Sequence, residues 1–167
     1  SSLRFKTNEQ NLKKILLYDT FEGMANPSKF DTNIINQKAI EQLNKKEKKE
    51  NKKDIWAYSS LDNVKKNIEN IGYENEKVIY IKGLVEQTLI NNQPEKISLL
   101  RLDTDFYEST KSELEYLYPK LEVGGIILID DYGHWKGCKK AVDDYFKNKK
   151  NIFFQQIDYS GIIGVKT

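Results

Sequence analysis

Two stretches of this chain decide its fold: LLRLDTDFYEST (Leu99–Thr110) and GGIILIDDYGHW (Gly124–Trp135). Each is an apolar run that ends in acidic residues, and apolar runs of this length between turn signals are typical of buried β-strands. In an open α/β sheet, ligands bind at the carboxyl ends of the strands. We therefore expect the acidic residues of both stretches to meet at one edge of a sheet.

These acidic residues are Asp103, Asp105, Asp130 and Asp131. Carboxylates that converge repel one another unless a cation neutralises them. Oxygen ligands favour Mg²⁺ or Ca²⁺ over zinc, which prefers nitrogen and sulfur. The pattern therefore predicts a divalent metal site at the mouth of the sheet. A plainer interpretation remains open, in which Asp103 and Asp105 cap the following helix and Asp131 is a turn residue.

Apolar segments elsewhere in the chain are predicted to form further strands of an α/β fold. With the two above, they give strands at residues 15–18, 78–81, 97–102 and 126–129. Gly124 and Gly125 are predicted to turn the chain into the last of these. Two short β segments, 152–157 and 161–165, predict an antiparallel hairpin that closes the chain.

Helical patterns alternate with these strands. The clearest covers residues 61–71, where Ser59 or Ser60 is a good N-cap and Gly72 stands at the position of a left-handed C-cap. Further helices are predicted over residues 3–13, from Ser109 or Thr110 to about Tyr118, and over 136–147. The alternation of strands and helices, followed by a hairpin, is typical of the α/β class.

The composition favours a single domain over residues 1–167. The chain is 38% hydrophobic and 31% charged, and no apolar run approaches the roughly 20 residues that a membrane span needs. Its N-terminus lacks the apolar centre of a signal peptide. A single cysteine, Cys138, excludes an internal disulfide and fits a reducing compartment. We therefore expect a cytoplasmic protein that does not contact a membrane.

The distribution of charge argues against a nucleic-acid partner. Proteins that bind nucleic acids usually carry a basic stripe interleaved with aromatic residues. The dense lysine run here, Lys45–Lys53, is broken by acids and lacks aromatics. We interpret the Lys-rich segment 44–53 as a solvated loop or a helix end. The Tyr- and Phe-rich C-terminal region would support a homo-oligomer.

Several motifs together resemble the macrocin O-methyltransferase family. RLDTDFYEST followed by YPKL, then GGIILIDDYG and GCKKAVDDY, carry a resemblance that extends from about Leu16 to the C-terminus. DTFEGM (Asp19–Met24) and GLVEQTL (Gly83–Leu89) resemble two further segments of that family. The resemblance implies a Rossmann-like class I methyltransferase sheet with helices on both faces and a C-terminal antiparallel hairpin.

The chain departs from the family pattern in two places. Thr104 occupies a position where the family usually has glycine. The family's first strand, which lies at the centre of the sheet, and its Gly-rich turn would precede residue 1. We therefore expect a domain that is N-terminally truncated relative to the family and lacks the first strand.

The resemblance implies methyl transfer from S-adenosylmethionine to a hydroxyl of a sugar or glycoside, with Mg²⁺ as the metal. By motif match, Asp103, Asp130 and Asp131 would be the metal ligands. Asp105 would be the general base that takes the proton of the acceptor hydroxyl.

The resemblance also implies a cofactor site. Asp19 would accept hydrogen bonds from the ribose hydroxyls, as carboxylates at this position do in nucleotide-binding α/β folds. Phe21 would pack near the cofactor, and Gly83 would allow close approach of the adenine edge. A plain turn-forming role for Asp19 remains an alternative.

Other functions remain open on the sequence alone. Phosphatases of the haloacid dehalogenase type also end an apolar strand in DxD, but they require Thr or Val where this chain has Tyr107. The DxD motif of glycosyltransferases is too short to exclude. A third alternative is a truncated, inactive methyltransferase-like domain.

Three residues that follow the second acidic pair have open roles. His134 either contacts the acceptor or is an ordinary surface residue. Trp135 either walls the acceptor pocket or packs inside the protein. Cys138 falls on the apolar face of the predicted helix and is interpreted as a core residue.

Overall fold

The structure, a computed structural model, describes residues 13–47, 58–149 and 151–167. The helix predicted over residues 3–13 therefore lies outside the described residues, apart from Lys13. The Lys-rich segment lies partly outside them as well. Its residues 44–47 belong to the end of the first helix described below.

Each predicted strand, and each helix predicted within the described residues, is present in the structure. In chain order they are β1 (Ile15–Asp19), α1 (Ala39–Glu47), α2 (Leu61–Ile71), β2 (Val78–Lys82), α3 (Val85–Thr88), β3 (Ile97–Leu102), α4 (Tyr107–Leu117), β4 (Leu121–Ile129), α5 (Lys136–Phe146), β5 (Ile152–Gln156) and β6 (Ile162–Lys166).

The caps of α2 confirm the local prediction. Ser60 Oγ accepts a hydrogen bond from Asn63 N at 3.3 Å, and Gly72 ends the helix with φ 77°. The N–H of Gly72 donates to Glu69 O. A left-handed C-cap favours glycine because a Cβ is strained there. Short-range chemistry alone therefore fixes both ends of this helix.

The strands form two sheets. β1 and β2 pair in parallel, and β3, β4, β6 and β5 form a four-stranded sheet in that order. β3 and β4 are parallel, whereas β6 is antiparallel to both β4 and β5, which confirms the terminal hairpin. Within the described ranges no strand pairs with both β1 and β3. The parallel pairs β1–β2 and β3–β4 each present two carboxyl ends side by side.

The prediction of a turn at Gly124 and Gly125 is wrong, because β4 runs through both glycines. Ile97 pairs with Leu121 but Leu99 pairs with Ile126, so the register shifts between β3 and β4. Gly124 takes φ 81° at this irregularity. A bulge of this kind bends a strand without ending it, and glycine accommodates the positive φ. The pair of glycines therefore marks a kink inside one long strand.

One face of the four-stranded sheet carries the core. Buried residues of β3 and β4 lie in one cluster with buried residues of α4 and α5, which include Leu100, Leu102, Leu114, Leu117, Ile127, Ile129, Cys138 and Val142. Cys138 is 2% exposed, which confirms it as a core residue. This packing anchors the carboxyl ends of β3 and β4 and the helices that follow them.

The opposite face of the same sheet presents an apolar row. Its members are in register across the four strands and all are exposed: Leu99, Ile126, Val165 and Phe153. None of the helices in the described part of the chain is both long enough and apolar enough to cross a membrane.

Candidate active site

The acidic residues gather where β3 and β4 end. The two strands pair through Leu102 and Ile129, and Asp130 N donates to Leu102 O at 3.0 Å. Asp103 and Asp130 therefore leave the sheet side by side. One carboxylate oxygen each from Asp103, Asp105 and Asp131 lies within 4.8 Å of the others, which gives a compact oxygen cluster.

Asp130 lies beside this cluster, and the guanidinium of Arg101 contacts both Asp130 and Asp103. Arg101 Nη2 lies 2.9 Å from Asp103 Oδ2 and 3.3 Å from Asp130 Oδ1. Asp103 and Asp130 also lie close enough to share a hydrogen bond when one of them is protonated, as do Asp105 and Asp131. The four carboxyl groups therefore form two adjoining pairs, and the guanidinium of Arg101 bridges the first of them.

The electrostatics of the cluster are unfavourable for bare carboxylates. Burial, followed by the hydrogen bond with Asp130, raises the pKa of Asp103 to about 6. Burial and the neighbouring Asp131 raise the pKa of Asp105 to about 9. Burial also raises the pKa of Asp131. Groups in this arrangement hold protons or a cation, and their oxygen donors suit Mg²⁺. The residues present therefore fit a divalent metal.

Asp105 has an unusual backbone conformation and a buried partner. Its φ is 65°, in the left-handed region that a residue other than glycine rarely adopts. The Trp135 side chain hydrogen-bonds to its carboxyl group. Trp135 is 1% exposed and packs edge-to-face with Phe106, with ring centroids 5.6 Å apart. Trp135 is therefore a buried packing residue that also orients Asp105, a role that sequence reasoning missed.

The helix after the first acidic motif is not capped by that motif. α4 begins at Tyr107, earlier than predicted, and Tyr107 N donates to Asp31 Oδ1 at 2.8 Å. Asp31 is 2% exposed and lies 76 residues away in sequence. The alternative in which Asp103 and Asp105 serve as the cap is therefore not what the structure shows. No local pattern pointed to Asp31.

A second buried acid contacts the motif from α4. Thr104 Oγ1 donates to Glu113 Oε2 at 2.8 Å, and Glu113 is 6% exposed. Burial raises the pKa of Glu113 to about 8, and nearby Glu86 and Asp103 act in the same direction. Sequence reasoning did not single out Glu113, because it reads as one polar position of an amphipathic helix.

The predicted cofactor residues meet at the ends of β1 and β2. Gly83 N donates to Asp19 O at 2.9 Å. Gly83 has φ +138°, and a Cβ there would lie 2.9 Å from Thr88 Cγ2, so a side chain is disfavoured. Phe21 N donates to Asp19 Oδ1 at 2.7 Å. The turn-forming role of Asp19 is therefore real, but it uses only one of the two carboxylate oxygens.

The side chain of Phe21 points into the protein. It is 4% exposed, and its ring centroid lies 6.4 Å from that of Tyr80 in β2. Its φ of 53° is again left-handed. Phe21 therefore shapes the loop after β1 and presents its N–H to Asp19.

His134 lies in the loop that follows the second acidic pair. Its ring centroid is 5.0 Å from that of Trp135 and 6.1 Å from that of Tyr159, edge-on to both. His134 Nδ1 is buried and has no hydrogen-bond partner among the described residues. The loop is tied to the β5–β6 hairpin, because Gly133 N donates to Ser160 O at 2.8 Å.

Comparison with known proteins identifies the family. The family model described as macrocin O-methyltransferase (TylF) matches residues 3–164. Demethyldecarbamoylnovobiocin O-methyltransferase of Streptomyces niveus is 40% identical over 86 residues, which are 52% of this chain and 33% of that protein.

Two other relatives match over similar lengths. Mycinamicin III 3''-O-methyltransferase of Micromonospora griseorubida is 33% identical over 87 residues, 52% of this chain and 34% of that protein. A 4'-O-methyltransferase of Streptomyces olivaceus that acts on a rhamnosyl-tetracenomycin is 39% identical over 85 residues, 51% of this chain and 32% of that protein. The matched stretches thus span about a third of each relative.

Solved structures agree with this assignment. The O-methyltransferase NovP superposes with a TM-score of 0.74 at 28% identity, over 92% of this chain and 60% of that one. The calicheamicin methyltransferase CalS11 has a TM-score of 0.60 at 16% identity, over 92% of this chain and 60% of that one, which supports the fold alone. The chain therefore belongs to the macrocin O-methyltransferase family and has the fold of a class I methyltransferase.

Proposed function

We propose that this chain transfers a methyl group from S-adenosylmethionine to a hydroxyl of a sugar or glycosylated small molecule, with the help of a divalent cation, Mg²⁺. The observation that carries the proposal is the meeting of Asp103, Asp105 and Asp131 within 4.8 Å at the carboxyl ends of two parallel strands. Family membership and relatives named for glycosylated antibiotics support it.

In this proposal Asp103, Asp130 and Asp131 hold the cation. These residues follow the ends of adjacent strands, and burial raises the pKa values of Asp103 and Asp131, which disfavours their metal-free carboxylates. A divalent cation bound there would lower the pKa of the acceptor hydroxyls and orient them. Arg101, at 2.9 Å from Asp103 and 3.3 Å from Asp130, balances part of the remaining negative charge.

Asp105 is the proposed general base. As the acceptor oxygen forms its bond to the methyl carbon, the carbon–sulfur bond breaks and the hydroxyl proton passes to the Asp105 carboxylate. The buried Trp135 side chain hydrogen-bonds to that carboxyl group and fixes its direction. Burial favours protonated Asp105, and a cation bound at the neighbouring carboxylates would favour its ionised form, which can accept a proton. Much of the rate would come from alignment of the reacting atoms.

Asp19, Phe21 and Gly83 form the proposed cofactor site. Phe21 N donates a hydrogen bond to Asp19 Oδ1. Asp19 Oδ2 would therefore accept the hydrogen bonds from the ribose hydroxyls. Gly83 lacks a side chain where a Cβ would meet Thr88, so the adenine edge can approach the backbone. Phe21 would pack near the cofactor, and its ring centroid lies 6.4 Å from that of Tyr80 in β2.

Calorimetric titration of S-adenosylhomocysteine into the folded chain tests the proposal, first with Mg²⁺ and then with EDTA. We expect saturable binding that Asp19→Ala weakens. The matched control is Asp144→Asn, since Asp144 is an exposed acid of α5 that pairs with Lys140 at 2.6 Å. A folded chain that binds no S-adenosylhomocysteine in either condition would contradict the proposal and favour the inactive-domain alternative.

A phosphatase or glycosyltransferase would be recognised by different substrates. Neither class occurs among the relatives described above, and Tyr107 does not fit the phosphatase motif. Mg²⁺-dependent hydrolysis of a chromogenic phosphate ester, lost in Asp103→Asn, would replace the proposed activity by a phosphatase activity. We expect no hydrolysis above that of the Asp103→Asn variant.

A further inference from the structure

The backbone of Asp105 is left-handed, with a φ of 65°, a conformation that disfavours a Cβ even though aspartate tolerates it better than most residues. Strained conformations persist only where the surrounding structure over-determines them. The residues on either side of Asp105 therefore hold it in this conformation. Each flank is tied to a buried acid that lies outside the acidic cluster.

The N-terminal flank is tied to α4. Thr104, the residue before Asp105, donates its hydroxyl hydrogen to Glu113 Oε2 at 2.8 Å. The backbone of Thr104 is fixed as well, because its carbonyl oxygen accepts from Phe106 N at 2.7 Å. Glu113 is 6% exposed and lies in the middle of α4, so it offers a rigid anchor for the turn.

The C-terminal flank is tied to a distant loop. Tyr107 N donates to Asp31 Oδ1 at 2.8 Å, and Asp31 Oδ2 accepts from Ser28 N at 2.6 Å and from Ser28 Oγ at 2.7 Å. Phe106, the N-cap residue of α4, makes no side-chain cap of its own. Asp31 therefore supplies the cap that the local sequence lacks, and it fixes the position of the first turn of α4.

The surroundings of Asp31 leave it little freedom. A Cβ at Gly137 in α5 would lie 1.8 Å from Asp31 Oδ1, so the helix backbone closes directly over the carboxylate. The loop is held on its other side too, because Lys136 N donates to Thr32 O at 2.9 Å. Asp31 is thus wedged between the first turns of α4 and α5.

We propose that Glu113 and Asp31 are positioning residues that together hold Asp105 in its left-handed conformation and so set the geometry of the acidic cluster. The inference deepens the proposed function, on which it rests for the role of Asp105. Neither residue would touch substrate. Glu113 acts through Thr104, and Asp31 acts through Tyr107.

The N-terminal anchor can be tested with closely matched substitutions. Thr104→Val keeps the shape of the side chain but cannot donate to Glu113, whereas Thr104→Ser keeps the hydroxyl. Because Thr104 lies between the proposed ligand Asp103 and the proposed base Asp105, we expect Thr104→Val to weaken Mg²⁺ binding and to lower kcat by about 10- to 100-fold, the usual range for partners that orient metal ligands. The single variants Thr104→Ser and Glu113→Gln each keep a donor and an acceptor for this hydrogen bond. We expect both to retain a Mg²⁺ affinity and a kcat near those of the native chain.

The C-terminal anchor is tested with Asp31→Ala and Asp31→Asn. Asp31→Ala should lower Mg²⁺ affinity and kcat in the same range, whereas Asp31→Asn, which can still accept from Tyr107 N, should retain more of both. The stability control is Ser60→Ala, which removes the N-cap of α2 and destabilises the protein away from the acidic cluster. Affinity for S-adenosylhomocysteine should remain unchanged in every variant, because its proposed site lies at β1 and β2.

The outcome that overturns the inference is a set of folded variants whose Mg²⁺ affinity and kcat match those of Ser60→Ala. If Asp31→Ala does not fold, the Thr104→Val and Thr104→Ser pair decides. Should the native chain prove inactive, a crystal structure of Thr104→Val decides instead. Relaxation of Asp105 to a negative φ supports the inference, and retention of a φ near 65° contradicts it, whatever the chemistry of the site.

Discussion

Acidic residues lie at the carboxyl ends of the strands in both sheets, but their surroundings differ. At the end of β1, Asp19 is exposed and one of its oxygens accepts the N–H of Phe21. At the ends of β3 and β4, carboxyl groups crowd together, and burial raises the pKa values of Asp103, Asp105 and Asp131. A lone carboxylate with a backbone donor suits neutral hydroxyl ligands, whereas a crowd of partly exposed carboxyl groups favours a cation. One residue type is therefore placed in two different environments, which fit the two chemistries proposed for it.

Asp105→Asn should have the largest effect and should break only one side of this comparison. The amide cannot accept the proton of the acceptor hydroxyl, so we expect kcat to fall by about 100- to 10,000-fold. Affinity for S-adenosylhomocysteine should stay unchanged, because Asp105 lies at the other edge. Single-turnover methylation with labelled S-adenosylmethionine measures the first quantity and calorimetry the second. Retained kcat would remove Asp105 from the role of base.

Asp131→Asn should raise the Mg²⁺ concentration needed for half-maximal activity by about 10- to 100-fold. The substitution removes one negative oxygen from a group whose oxygens lie within 4.8 Å of one another. Activity should recover at high Mg²⁺, unlike that of Asp105→Asn. Asp144→Asn, on the exposed side of α5, is the matched control and should leave the Mg²⁺ requirement unaltered. Identical Mg²⁺ curves for both variants would show that Asp131 is not a ligand.

Asp19→Ala should disturb the opposite edge. It removes the acceptor of the Phe21 N–H at 2.7 Å as well as the proposed ribose contact, so affinity for S-adenosylhomocysteine should fall about tenfold. Mg²⁺ affinity should not change. Calorimetry of both ligands on one preparation checks the pair of expectations, and a parallel loss of Mg²⁺ binding would mean that the two edges are coupled.

The smallest expected effect is on the pH dependence of stability, a shift of a few degrees in unfolding temperature. It should arise from the acidic cluster at β3 and β4 and not from Asp19. Folding raises the pKa of Asp105 to about 9 and that of Asp103 to about 6, so the folded state binds protons more tightly than the unfolded state. This stabilisation is complete below about pH 4 and is lost as the pH rises through about 9.

Thermal unfolding in EDTA should therefore show a falling transition temperature across that range, and Mg²⁺ should flatten the fall. Asp105→Asn serves as the control, because it removes the most strongly shifted carboxyl group and should flatten the profile above about pH 8 without any metal, whereas Glu113, with a pKa of about 8, still contributes to the fall below that pH. A profile in EDTA that rises from pH 5 to pH 9 would contradict the burial of these groups.

Much of the fold could be predicted because its signals are local. Ser60 and Gly72 encode the ends of α2, and apolar runs followed by aspartates encode β3 and β4. Glycine pairs are more ambiguous, because a turn and a bulge both need positive φ. Gly124 and Gly125 therefore looked like the start of a strand when they are a kink within one.

The acidic residues of the candidate site could be predicted, but their supports could not. Asp31 meets Tyr107 across 76 residues, and no spacing rule connects the two. Trp135 and Glu113 occupy positions that suit an ordinary core or helix residue equally well. Such contacts depend on how loops and helices pack, which a pattern of residue types along the chain does not specify.

Cys138 makes the packing beneath the acidic cluster measurable. It is the single cysteine of the chain, it is 2% exposed in α5, and burial raises the pKa of its thiol. A thiol reagent can therefore reach it only when α5 lifts from the sheet, and the labelling rate reports the free energy of that opening. Slower labelling in the presence of Mg²⁺ would register metal binding as a local tightening of the protein, without any substrate.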